Sequence, residues 1–272
     1  MKTYHKNTER QTSGVPNWAA ILTQAVNTPG MMMEAYSAFH DYSVGNQLLA
    51  LVQCQLRGIT PGPIKTFPGW QALGRNVQRG ERALVLCMPI TRKRRDAKAG
   101  EDNEGDTYTA FVYKPRWFVL SQTEGEEMPP LSIPEYDPER AMAALGVERV
   151  EFDLTDGNCQ GFARGRQIAV SPVAQLPHKT FFHEMAHVVL GHTSEGDFTD
   201  TETTPRTLRE VEAEAVALLC CGSLGLEGAE YCRGYSRHWL RGDVIPEQSA
   251  QKIMRAADQI LRAGREHESD ID

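Results

Sequence analysis

Residues 183–187 read His-Glu-Met-Ala-His, an H-E-x-x-H arrangement. Two histidines four apart on a helix lie one turn apart on one face, so both imidazoles reach a single ion at about 2.0–2.1 Å. Glu184 projects nearby but offset, which leaves it free to take a proton from a water on that ion, the general-base role in metal-assisted hydrolysis. The flanks, Thr180-Phe-Phe182 and Val188-Val-Leu190, are apolar, as a buried helix requires.

A hydrolytic zinc needs a third protein ligand and keeps one position open. His192 follows His187 by five residues, whereas the metzincin pattern needs six, so His192 is expected to cap or abut the helix end. Arg209-Glu-Val-Glu-Ala-Glu-Ala-Val-Ala-Leu-Leu219 offers a better donor. Glu210 and Glu214 are again one turn apart, on a segment with Val211, Ala215, Leu218 and Leu219 to bury. Two carboxylates on a buried helix are costly without partners. One on the metal and one accepting the N–H of a ligand histidine would satisfy both. Glu212 is expected on a solvated acidic face.

A second constellation lies in the first half. Lys65, Arg75, Arg79 and Arg82 surround Phe67 and Trp70, and Arg92-Lys-Arg-Arg95 adds a cationic arm. Cations interleaved with aromatic platforms suit single-stranded nucleic acid, whose phosphates need charge and whose unpaired bases need surfaces to stack on. Plainer readings compete. Trp70 also reads as core, Arg75 and Arg79 as a solvated helical face, Asn46 as a capping or turn residue, and 92–95 as a solubilising loop tip.

The elements that must carry these residues form an α+β pattern. Helices are expected at Trp18–Val26, Asn46–Arg57 (stopped by Gly58) and Trp70–Arg75, and strands at Ala83–Ile90 and Tyr108–Leu120 around a polar 91–106 loop. Asp137-Pro138-Glu139 opens a helix ending at Gly146. Short strands follow at Val147–Asp153 and Arg166–Val170, the second after a Gly161–Gly165 turn, and then helices at about 173–191, 206–224, 230–240 and 246–263. Four prolines in 121–139 make a poor helix and a fair linker. The chain therefore divides into residues 1–125, a linker at 126–139, and a mostly helical unit with a small sheet at 140–272.

Charge divides the same way. The first 100 residues carry 13 Lys/Arg against 5 Asp/Glu and the remainder 16 against 31, so a +8 half adjoins a −15 half. A polyanion partner suits only the first. With 40% apolar and 24% charged residues the mixture is globular, excluding fibrous or wholly disordered classes. No apolar run approaches the roughly 20 residues of a membrane span, and the polar first residues lack a secretory core, so a cytoplasmic location without membrane partners is expected. Six cysteines without a C-x-x-C pair read as buried reduced thiols.

Two families share these motifs. His183-Glu-Met-Ala-His187 with Glu210-x-x-Ala-Glu214 resembles the ImmA/IrrE-type zinc peptidases of the gluzincin group. That resemblance implies Glu210 as third ligand and Glu214 as the group supporting a ligand histidine. Glutamate at 214 replaces the usual Asn or Asp, so the two roles could be exchanged. Tyr42-Ser-Val-Gly-Asn-Gln-Leu-Leu49, Phe67-Pro-Gly-Trp-Gln-Ala-Leu-Gly74 and Val77-Gln-Arg-Gly-Glu-Arg82 resemble the ArdC-type antirestriction N-terminal domain. This second resemblance implies single-stranded DNA binding, in a protein of a mobile genetic element.

Combined, they imply an antirestriction-type protein with a zinc metallopeptidase-like domain, Mn2+ or another divalent ion competing for the site. In that mechanism Glu184 is base and then proton donor, and Tyr235 or His238 could stabilise the oxyanion. Two alternatives stand beside it. One is a metallopeptidase cleaving a repressor protein bound by the first domain. The other is a non-enzymatic DNA-binding protein with a structural metal.

Overall fold

The computed structural model describes residues 16–93, 107–154, 159–193, 206–230 and 245–265. Three helices come first: α1 (Trp18–Asn27), α2 (Met31–Phe39) and α3 (Val44–Arg57). Ser43 caps α3 by accepting from Asn46 N, and Gly58 ends it in the left-handed region at φ 63°. Next come β1 (Ile64–Thr66), the single-turn-and-a-half helix α4 (Phe67–Ala72), and β2 (Arg75–Val77). The long hairpin β3 (Leu84–Lys93) and β4 (Thr107–Val119) follows, and β5 (Thr123–Gly125) closes the first half. The main sheet has the order β1-β4-β3, while β2 and β5 pair separately.

Helix α3 seals the open edge of β3 with side chains. Asn46 Nδ2 and Oδ1 pair with the carbonyl and N–H of Cys87, and Gln53 pairs likewise with Val85, all at 2.9 Å. Two amides two turns apart on the helix thus replace a missing strand and protect the edge. Asn46, read as a capping or turn residue, serves this edge.

The second half comprises α5 (Pro138–Leu145), β6 (Glu148–Arg149), β7 (Gly161–Arg164), β8 (Gln167–Val170), α6 (Pro177–Val189), α7 (Arg206–Ser223) and α8 (Glu247–Ala263). Asp137 caps α5 and Gly146 ends it, as the residues require. Its three strands pair in the order β6-β8-β7. Gly161–Arg164, read as part of a turn, is strand β7; glycine is needed there because a Cβ on Gly161 would lie 2.5 Å from Thr180 Cγ2 on α6.

One apolar cluster runs through elements on both sides of 126–139, from Trp18 and Leu48 to Phe182, Leu218 and Ile260. Polar ties reinforce it. Glu247 accepts from the first N–H groups of α1, at Trp18 and Ala19, over 3.0 and 2.9 Å. Arg265 donates to Tyr36 Oη and His40 O at 3.0 and 2.6 Å. Cys54, Cys220 and Cys221 are buried free thiols; Cys87 and Cys159 are free and half-buried, and Cys232 lies outside the described residues. Among the described residues no helix is long and apolar enough to cross a membrane.

Candidate functional site

Helix α6 starts at Pro177, whose missing N–H costs nothing in a first turn, and buries Phe181, Phe182, Met185 and Ala186. Packing those residues turns His183 and His187 toward α7. Their Nε2 atoms lie 3.1 Å apart. Glu210 Oε2 on α7 lies 3.5 Å from the first and 3.7 Å from the second. Donors about 2.0–2.1 Å from a tetrahedral ion stand roughly 3.3–3.4 Å from one another, so this triangle has the size of a half-built tetrahedral site. Among the described residues, these three form the one cluster of potential ligands so converged.

Each histidine is held from behind. His183 Nδ1 is 3.1 Å from Glu214 Oε2, whose other oxygen meets Lys179 Nζ at 2.8 Å. His187 Nδ1 is 3.1 Å from His192 Nδ1, and His192 Nε2 is 3.1 Å from Glu212 Oε2. Glu212, expected on a solvated face, is therefore corrected: it is 2% exposed and partners His192. Glutamates at 210, 212 and 214 look alike in sequence; the close packing of α7 on α6 gives each a different partner.

Electrostatics follow from this crowding. Burial lowers the pKa of His183, but the Glu210 and Glu214 carboxylates outweigh it and raise it to about 9. Burial raises Glu214, while bonds from His183 and Lys179 bring it down to about 2. The two imidazoles beside it, His183 foremost, hold Glu210 far below the usual carboxylate range. Burial raises Glu184, so its carboxyl takes a proton more readily than a solvated one. Burial also lowers His192 and favours its neutral ring.

Glu184 shares with the triad a cleft of about 600 Å³, lined also by Gly161–Ala163, His192, Thr193 and Arg209. Strand β7 is the outer strand of its sheet and forms one wall of this cleft. Arg209 was missed by sequence reasoning; its position beside Glu210 was the available signal. Tyr235 and His238 lie outside the described residues.

The residues expected to touch DNA separate on folding. Trp70 is corrected from a stacking platform to a core residue: it is fully buried and its Nε1 donates to Phe118 O at 2.8 Å. Arg75 is corrected likewise. It lies in β2 rather than on a helix, is 9% exposed, and donates to Thr123 Oγ1, Thr123 O and Gly125 O at 2.8, 3.0 and 3.3 Å and also to Glu126 O. Four of its five N–H donors are taken up by Thr123, Gly125 and Glu126, so the buried guanidinium is committed to this strand pairing rather than to phosphate. Arg79 and Arg82 remain exposed in the β2–β3 connection, Phe67 is exposed at 44%, and Lys65 is half-buried on β1.

Sequence reasoning passed over Lys114 and Arg116, both exposed on β4. Lys65 pairs with Phe118 across the ladder, but a register shift opposite Leu84/Val85 makes a bulge at Arg116, so Lys114, which pairs with Leu86, falls on the other sheet face from Lys65. Of the 92–95 run, Arg92 is exposed on β3, Lys93 ends that strand, and 94–95 lie outside the described residues.

Comparison with known proteins agrees with this architecture. Residues 8–117 match the family model of the N-terminal domain of anti-restriction factor ArdC. Two crystal structures of antirestriction ArdC protein from R388 plasmid share the fold of nearly the whole chain. The metal-free one matches at 19% identity with a TM-score of 0.54, and the Mn(II)-bound one at 17% and 0.53. Each alignment covers 92% of this chain and 98% of that protein. No curated protein matches. The chain thus shares its mixed α+β fold with those structures, and the match over residues 8–117 agrees with the resemblance drawn from the 42–82 motifs.

Proposed function

We propose that this chain is an ArdC-like antirestriction protein of a mobile genetic element. It binds single-stranded DNA through its basic first half and holds a divalent cation in a hydrolytic site in its second. The observation that carries the reading is the triangle of His183 Nε2, His187 Nε2 and Glu210 Oε2, with edges of 3.1, 3.5 and 3.7 Å, beside Glu184 in one open cleft. Three protein donors suit an ion with a remaining open position, whereas a structural zinc closes all four with protein. Zn2+ and Mn2+ both accept two imidazoles and a carboxylate. The Mn(II)-bound form of the similar R388 protein supports a divalent ion here.

His183, His187 and Glu210 would hold the ion, and Glu214 fixes the His183 ring through Nδ1. A bound divalent cation supplies Lewis acidity toward a carbonyl or phosphoryl oxygen. Glu184 is the proton carrier: its buried carboxylate accepts a proton from the attacking water and returns it to the leaving group. Among the described residues β7 pairs on one side only, and that outer edge along the cleft favours an extended peptide as substrate, which can add a strand there.

For DNA, the surviving candidates are Lys65, Arg79 and Arg82, joined by Lys114 and Arg116, with Phe67 as an exposed aromatic. Metal content and single-strand binding measured on one full-length sample test the proposal. One equivalent of metal and salt-sensitive preference for single strands over duplex are expected; absence of either removes that half of the reading. Glu184→Gln should keep the metal and lose hydrolysis of any substrate found. An active Glu184→Gln protein would require another base.

A further inference from the structure

The two ligand histidines are supported by different devices, and the second has no counterpart in the motifs of the chain. His183 Nδ1 meets a carboxylate directly, at Glu214. His187 Nδ1 instead meets another imidazole, and that imidazole meets the Glu212 carboxylate, each step spanning 3.1 Å. Side chains of His192 and Glu212 are 5% and 3% exposed, so the far end of the relay is buried while His187 faces the cleft. A carboxylate buried this deeply needs a donor, and His192 Nε2 is the one it meets.

We infer that His192 and Glu212 are positioning residues for the metal site, fixing the ring orientation and tautomer of His187 through a buried imidazole–imidazole–carboxylate relay. The argument is one of donor and acceptor counting. The Glu212 carboxylate oxygen, 3.1 Å from His192 Nε2, is the acceptor of that contact, so His192 carries its hydrogen on Nε2 and leaves a lone pair on Nδ1. That lone pair requires a hydrogen on His187 Nδ1, which leaves the His187 Nε2 lone pair facing His183 and Glu210. One proton arrangement satisfies all four nitrogens, and it is the arrangement a metal requires. Had the relay ended in a donor such as lysine, it would have driven the His187 hydrogen onto Nε2 and blocked the ligand atom.

This inference rests on the metal site proposed above, and the test separates the two. Affinity for Zn2+ and for Mn2+ is measured on the full-length protein by competition with a chelating dye. His192→Leu should weaken binding by about 10–100-fold, as loss of such outer partners does. His192→Asn, whose side-chain oxygen stands near the lost Nδ1 and accepts the His187 hydrogen, should recover most of it. Nitrogen-15 imidazole spectra of the unaltered, metal-loaded chain should show His187 protonated on Nδ1 and His192 on Nε2, a readout that does not depend on the folding of any variant. Wild-type affinity in His192→Leu, no recovery in His192→Asn, or His192 protonated on Nδ1 would overturn the relay while leaving the ligand set standing. A folded wild-type chain that takes up no divalent metal would overturn both.

Discussion

The α6–α7 pair and the β2–β3 region started from comparable sequence evidence and fared differently on folding. In the first, chemistry depends on residues one helical turn apart, and a helix preserves that relation wherever it packs. His183, His187 and Glu210 therefore converge. In the second, cations and aromatics within eighteen residues were taken as one surface, yet Trp70 and Arg75 turn inward while Arg79 and Arg82 stay in solvent. Spacing within an element survives folding; proximity along an irregular segment does not.

Disabling a ligand should give the largest effect. His187→Ala leaves one imidazole and one carboxylate, so stoichiometric metal should be lost, as elemental analysis of dialysed protein would reveal. Full metal in that variant would dissolve the contrast between the regions. Trp70→Ala should cost about 3–5 kcal/mol in chemical unfolding, the range for a buried aromatic truncated in place. A folded variant of unchanged stability but weakened DNA binding would restore Trp70 to the surface.

pH sharpens the metal side. The metal needs neutral His183, which the metal-free fold holds protonated up to about 9. Affinity should therefore rise with pH, by up to about tenfold per unit, and flatten above that value. In chelator the sign reverses. A raised folded pKa stabilises fully below the ordinary imidazole value, so thermal stability should fall from about pH 6.5 to 9. A metal affinity independent of pH in that window would mean that His183 is already neutral. The smallest effect belongs to the exposed cations. Arg79→Ala and Arg82→Ala should each reduce the salt slope of single-strand binding by about 0.7, with stability unaltered, whereas Arg75→Ala should destabilise first. Equal behaviour of all three would erase the distinction.

Much of the frame was legible. Asp137-Pro138 and Gly146 bound α5 as their chemistry requires, and the apolar flanks of 183–187 placed a buried helix correctly. What stayed hidden is set by partners distant in sequence. The helix expected at Trp70–Arg75 begins instead at Phe67, where Thr66 caps it. It ends at Ala72 because Arg75 pairs with Gly125, and nothing within 70–75 signals that pairing. β7 was hidden because four residues bounded by glycines look like a turn, while Gly161 serves close packing against Thr180 and Glu184. The site was legible in its ligands and illegible in its support, since a carboxylate at 212 gains its role only from a histidine on another element.

The cap on α1 has a bearing on synthesis. The Glu247 carboxylate that satisfies the Trp18 N–H comes 229 residues later in the chain. At about 5–20 residues per second, a ribosome needs roughly 10–45 s to cover that interval. Until then α1 has only its local Asn17 cap, which accepts from Ala20 N, and the apolar face it lays against α8 has no cover. During translation the first half is therefore a client for whatever shields nascent apolar surface, and it completes its core only when α8 emerges.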